Sequence, residues 1–129
     1  MPPFLHPETV SQPSSRFSQG VLVGPAAKRL IISGQVGTRP DGALLEGLDK
    51  QTEQVFDNLF AVLSAAEMEV RDLVKLVIYC AVPGGSAVVR DIRNTRLGSH
   101  APASTFVQVA GLANPHYLVE IEGEAVREA

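Results

Sequence analysis

The spacing of apolar residues along the chain predicts two helices. In residues 48–68 apolar side chains recur at steps of three and four residues, as they do on one face of an α-helix. Gln51 begins this stripe with a polar residue, and the apolar members are Val55, Leu59, Val62, Leu63 and Ala66. Residues 86–97 form a second, shorter predicted helix, with Ser86 as its N-cap and Gly98 as its stop.

Five further segments have the composition of β-strands. Residues 72–82 are almost continuously apolar, which is typical of a strand covered on both faces. Pro40-Asp41-Gly42 predicts a turn, because proline fixes φ and glycine supplies a positive φ. The predicted strands are residues 17–24, 28–35, 72–82, 104–110 and 117–126. The order β-β-α-β-α-β-β predicts an α+β fold with two helices on one face of a mixed sheet.

Length and composition indicate one domain over residues 1–129, in which the proline-rich residues 1–15 form an irregular arm. The net charge of −3 argues against nucleic acid as a partner, since affinity for a duplex comes largely from clustered Lys and Arg. Cys80 is the one cysteine, so an intrachain disulfide is excluded and a buried thiol is expected. We find neither a secretory signal nor a membrane-length apolar stretch, and we expect a cytoplasmic protein without a membrane partner.

Glutamates occupy alternate positions of the last predicted strand. Glu120, Glu122 and Glu124 share one face because side chains alternate along a strand. One interpretation is a solvated face. The other is a general base, because like charges about 7 Å apart raise a carboxyl pKa.

Four short motifs, taken in order, resemble the Rid family (reactive intermediate deaminases). They are FSQG at 17–20, SGQV at 33–36, PAST at 102–105 and EIE at 120–122, and the predicted helix 48–68 and strand 72–82 lie where the family has them. The resemblance covers roughly residues 15–127. It implies a chorismate-mutase-like fold and a homotrimer with small-molecule clefts between its subunits.

The resemblance also implies the roles of individual residues. In deaminating members an arginine binds the carboxylate of an imine or enamine, and a glutamate of the last strand positions the attacking water. Carried over to this chain, Glu122 is the catalytic residue. The ligand-binding residues are Phe17, Ser33, Gly34, Ser104 and Thr105.

The chain departs from the deaminating pattern at Ser104, where those members have the arginine of Pro-Ala-Arg-Ser. A hydroxyl offers one neutral donor, whereas a guanidinium makes a bidentate, charge-assisted pair with a carboxylate. Arg93 is our candidate for the missing cation, with Arg90, Arg96 and Arg16 as alternatives. A solvated basic helix face is the other interpretation.

We therefore expect a Rid-like protein that acts on a small imine, enamine or related unsaturated metabolite but is a poor 2-iminopropanoate deaminase. A non-catalytic trimer that binds small metabolites is the alternative. An endoribonuclease is the least favoured, because the chain is acidic and has no evident histidine pair. We expect no cofactor and no metal, since His6, His100 and His116 lack metal-ligand spacing.

Overall fold

The computed structural model describes residues 4, 5, 8, 9, 17, 18, 20–25 and 27–128. The predicted order of elements is confirmed, with changes at several ends. The elements are β1 (Phe4–Leu5), β2 (Gly20–Val21), β3 (Lys28–Val36), α1 (Leu48–Ala65), a 3₁₀ turn (Val70–Asp72), β4 (Leu73–Cys80), α2 (Ser86–Leu97), β5 (Ala103–Gln108) and β6 (Val119–Arg127). Most of the predicted irregular arm lies outside the described residues.

The main sheet has four strands in the order β3-β6-β4-β5. β4 and β5 are parallel and are joined through α2, whereas β6 is antiparallel to both β3 and β4. The mixed sheet of the predicted α+β fold is thereby confirmed. The prediction of one strand over residues 17–24 is wrong in extent: among its described residues Gly20–Val21 pairs with Phe4–Leu5, and Ser18 makes an isolated parallel bridge to Ala103 at the start of β5.

Both helices cover the same face of the sheet and enclose one hydrophobic core. Phe56, Leu59 and Leu63 of α1 are buried with Leu76 and Ile78 of β4. Side chains at the alternate positions of β4 point to the other face, which we call the open face. There Lys75 is exposed and both Val77 and Tyr79 are half-buried. The described chain thus covers β4 on one face, and not on both.

Gln51, the polar residue of the helical stripe, is 2% exposed and connects α1 to two loops. Its side-chain amide donates to the carbonyl oxygens of Leu45 and His116, at 3.0 Å each. Its Oε1 accepts the backbone N–H of Leu118 at 2.9 Å. A polar residue is needed here because the backbone groups it satisfies lie beside the core.

Glycines form both caps of α2. Gly85 is the N-cap, without a side-chain cap, so the expected Ser86 cap is wrong and Ser86 is the first helical residue. Gly98 ends the helix as predicted, with a φ of 62° that suits a residue lacking Cβ. Gly42 of the predicted turn also has a positive φ, 88°, and donates to the Arg39 carbonyl at 2.8 Å.

Within the described ranges, neither helix combines the length and the apolar character that a bilayer-spanning segment requires.

Candidate functional site

A cleft of about 320 Å³ lies between α2 and the edge strand β5. The register of β4 and β5 explains its floor. Leu76 pairs with Ser104 and Ile78 with Phe106, so these side chains point toward the helices because paired residues share a face. The cleft is lined by Phe17, Ile78, Ser86, Arg90, Arg93, Ser104 and Phe106.

Arg93 brings a cation to Ser104 in the cleft. Its side chain reaches from α2 across the cleft, and the residue is 6% exposed. Nη1 donates to Oγ of Ser104 at 3.3 Å, while Nε and Nη2 donate to Oδ1 of Asn94 at 3.3 and 3.1 Å. A guanidinium carried by α2 thus lies against β5 at Ser104.

The other two arginines of α2 have different surroundings. Each three-residue step turns the side chain by about 60° relative to the one before, so the row winds around the helix. Arg90 still lines the cleft. Arg96 faces α1 instead, where it pairs with Glu53 at 2.9 Å and Asp57 at 2.5 Å. Burial lowers the pKa of Arg96, but hydrogen bonds to these carboxylates raise it above its usual value. Arg16 lies outside the described residues.

Glu122, the predicted catalytic residue, lies on the open face of the sheet and is exposed. It shares a row with Val77 and Thr105 across β6, β4 and β5. Its Oε1 accepts the hydroxyl proton of Tyr79 at 2.7 Å. This hydrogen bond, with smaller effects of desolvation and of the charges on Glu122 and Glu120, raises the pKa of the Tyr79 phenol.

The structure brings Glu120 to the Ser33-Gly34 segment. The β3–β6 ladder shifts register between Ile32 and Gln35, and Ser33 and Gly34 form this bulge. A Cβ built on Gly34 would lie 2.8 Å from the carboxyl carbon of Glu120. Two glutamates at period two look alike in sequence. A glycine inside a strand, here Gly34, is the available signal for a bulge. A bulge changes which glutamate, Glu120 or Glu122, lies beside that glycine.

The predicted site residues therefore form two groups, which the sheet separates. Phe17, Arg93 and Ser104 meet in the cleft on the helix side, whereas Glu122 and Thr105 lie on the open face. The first group offers a cation, a hydroxyl and apolar walls, which suit a small carboxylate. The second offers carboxylates that can accept a proton.

Among the described residues, no three His, Cys, Asp or Glu side chains are grouped closely enough to hold a metal ion. The buried Cys80 contacts the carbonyl oxygen of Val82 at 3.6 Å, and a ring nitrogen of His100 is 2.7 Å from the Leu73 carbonyl oxygen. The thiol is buried, as expected from the sequence.

The sequence and its helix-covered mixed sheet match those of known proteins. The model of the family described as Endoribonuclease L-PSP matches residues 8–127. A RutC family protein of Pyrococcus horikoshii is 30% identical over 123 residues, 94% of each chain. A 2-iminobutanoate/2-iminopropanoate deaminase of Rattus norvegicus is 31% identical over 113 residues, 86% of this chain and 80% of that protein.

A solved structure gives the same result. A protein of unknown function of the Rid family from Yersinia pestis superposes with a TM-score of 0.84 at 34% identity, over 96% of this chain and 97% of the other. The chain belongs to the Rid family, so the resemblance drawn from the motifs is confirmed.

Proposed function

We propose that this protein hydrolyses a small imine or enamine acid, or a related unsaturated metabolite, and that Arg93 binds the acid's carboxylate. The observation that supports this most directly is the buried guanidinium 3.3 Å from Oγ of Ser104. The likeness to a 2-iminobutanoate/2-iminopropanoate deaminase supports the class of reaction.

Arg93 and Ser104 are complementary as a carboxylate site. Because Ser104 Oγ accepts from Arg93, the hydroxyl can donate its own proton to a carboxylate oxygen. The incoming carboxylate gives Arg93 a charged acceptor beside the neutral hydroxyl of Ser104. A hydrogen bond to a charged group contributes about 1.5–3 kcal/mol, roughly twice that of a neutral one.

The chemical step needs a base that holds water against the imine carbon. In our proposal a carboxylate of β6 takes a proton as the water oxygen adds to that carbon. The carboxyl group passes this proton on to the nitrogen, so that the carbinolamine releases ammonia and leaves a carbonyl product. Glu122 is the base that the motif suggests. Glu120 is a second candidate, supported by its position against Gly34.

A second chain is required to complete this site, and we propose a homotrimer. Arg93 and the β6 carboxylates lie on opposite sides of one sheet, so a neighbour's open face has to meet the cleft. The open face carries Ile31, which is 63% exposed on β3. Closed three-fold symmetry would form three equivalent clefts. Sedimentation equilibrium is expected to give three times the mass of one chain, and a stable single-chain mass would contradict the proposal.

We expect 2-iminopropanoate to be a poor substrate. The guanidinium reaches Ser104 from α2, whereas an arginine at position 104 would extend into the cleft from β5 itself. At about 30 Å³ per water, the cleft volume of about 320 Å³ equals that of about ten waters. We expect a three-carbon acid to be too short to reach from Arg93 to a base on the facing side.

The test is turnover of imines generated in situ from amino acids of increasing size. Arg93→Gln is expected to lower kcat/KM by about 30-fold, the equivalent of one charge-assisted contact of about 2 kcal/mol. Arg39→Gln is the matched control, because Arg39 is exposed and pairs only loosely with Asp41 at 3.8 Å. Equal activity of the two variants would contradict the role of Arg93, and Glu120→Gln beside Glu122→Gln identifies the base.

A non-catalytic metabolite-binding trimer is the second candidate. It is favoured by the absence of any carboxylate among the described residues that line the cleft. Arg93-dependent binding of small acids without turnover of any imine would select it. An endoribonuclease is less favoured, since the described lining of the cleft also lacks a histidine to act as general acid or base.

A further inference from the structure

Two arginines and no acidic residue are found among the described side chains that line the α2–β5 cleft, in a chain whose net charge is −3. We propose that Arg90 gives this cleft a second anion site, so that it selects a short dicarboxylate over a monocarboxylate of the same length. The inference rests on the proposed function, in which Arg93 binds the first carboxylate.

The charge of Arg90 is only weakly compensated. Its guanidinium pairs with Oδ1 of Asp91, through Nε at 3.4 Å and Nη2 at 3.5 Å. Both side chains are largely exposed, and such pairs on a surface contribute little because water screens them. A ligand carboxylate in the cleft is better shielded from water and therefore competes well with Asp91.

The start of α2 adds to the same site. Ser86, the first residue of the helix, lines the cleft together with Arg90. No side chain caps this first turn, and the positive end of the helix dipole lies there. Arg90 and Ser86 thus form an outer anion site, and Arg93 and Ser104 an inner one.

The spacing suits a short linker between two carboxylates. Because an α-helix rises about 1.5 Å per residue, the Cα atoms of Arg90 and Arg93, three residues apart, are separated by about 4.5 Å along the axis. Phe17 and Phe106 supply apolar walls of the same cleft, against which methylene groups can pack. The chemistry specified is a small acid with an anionic group at each end and an apolar middle.

The experiment compares glutarate with pentanoate, which have the same number of carbons and differ by one carboxylate. Binding to the full chain is measured by calorimetry, for the wild type, Arg90→Gln, Arg93→Gln and the control Arg39→Gln, with inorganic phosphate as a third ligand. We expect the wild type to prefer glutarate at least fivefold. Arg90→Gln is expected to weaken glutarate about fivefold and pentanoate less than twofold, the size of one partly exposed charge contact.

Each other outcome overturns a distinct statement. If pentanoate binds as tightly as glutarate in an Arg93-dependent way, the second anion site is wrong and the proposed function stands. If neither acid depends on Arg93, the proposed function itself fails. Tighter binding of inorganic phosphate than of glutarate, lost in Arg90→Gln, would assign the cleft to phosphorylated ligands and reject the dicarboxylate.

Discussion

At the scale of single residues, the candidate cleft brings together side chains from different elements, Arg93 of α2 and Ser104 of β5. The sequence pointed to Ser104 as the departure and to Arg93 as a replacement, and the two are hydrogen-bonded. The alternation of side chains cannot show whether Glu120 or Glu122 lies beside Ser33 and Gly34, since both glutamates share a face of β6. The bulge at Ser33 and Gly34 distinguishes them, and a bulge depends on pairing between distant strands.

Gly34→Ala tests whether Glu120 belongs to the site. The added methyl would meet the end of the Glu120 side chain, which can move at little cost, so the fold should survive while the carboxylate shifts. We expect turnover to fall about tenfold, the equivalent of about 1.4 kcal/mol, with the melting temperature nearly unchanged. Gly111→Ala is the control, because nothing lies within 4 Å of its new methyl. Equal activity of the two variants would exclude Glu120.

Asp72 gives the fold an acid-sensitive contact. It accepts hydrogen bonds from Arg127 Nη2 and from the Glu69 backbone N–H, each at 2.7 Å. Burial alone would raise the pKa of this carboxyl, but these bonds and the arginine charges hold it below its ordinary value of 3.8. A depressed pKa in the folded state stabilises the protein above pH 3.8, and this contribution is lost as the pH falls further.

Asp72→Asn is therefore expected to lower the free energy of unfolding by about 1–2 kcal/mol at pH 7. The difference from the wild type should shrink as the pH falls below 3.8, where Asp72 itself becomes protonated. Urea denaturation at pH 7, 5 and 3 measures it. A difference that stays constant over this range would show that the carboxylate charge has no part in the stabilisation.

At the scale of elements, the periodic segments were predicted well and the ends less so. α2 has the predicted bounds, because an amphipathic stretch and a C-terminal glycine are both local signals. α1 ends at Ala65, three residues early, where the Met68 N–H turns back to the Leu63 carbonyl. Gly20–Val21 was missed as a separate ribbon, because its partner Phe4–Leu5 is distant in sequence and lies in a segment without periodicity.

Gln51→Leu tests how α1 is joined to the loops around it. Leucine keeps the volume but leaves the Leu45 and His116 carbonyls and the Leu118 N–H without this partner. We expect a loss of about 2–4 kcal/mol in the free energy of unfolding, since such groups are costly when buried and unpaired. Gln54→Leu removes an amide that donates to Asn58 Oδ1 one turn along α1 and should cost less than about 1 kcal/mol. Similar losses in both would contradict the role of Gln51.

At the scale of the whole molecule, β4 has apolar side chains on both faces, but the described chain covers only the face that packs against the helices. The helices bury Leu73, Leu76 and Ile78, while the opposite face presents Val77 beside charged residues. A sequence shows that a strand is apolar but not which molecule covers it. The assembly, and with it the meeting of the cleft and the β6 carboxylates, is therefore a proposal.

Ile31→Lys tests the open face as the assembly surface. A buried lysine without a partner is unfavourable, so the trimer should dissociate into folded single chains. Val88→Lys is the control, because Val88 is also exposed, at 41%, but lies in the helical layer. Sedimentation velocity and circular dichroism measure mass and fold together. An unchanged mass for Ile31→Lys would place the subunit contact elsewhere.

The anchoring of Arg96 has a consequence for how this protein can change over evolutionary time. The same helix that presents Arg90 and Arg93 to the cleft is fastened to α1 through Glu53 and Asp57. An arginine on a strand is positioned by the sheet. Arg90 and Arg93 are positioned instead by the packing of α2 against α1. Mutations at Glu53 or Asp57 are therefore expected to change how α2 presents Arg90 and Arg93, without altering any residue that lines the cleft.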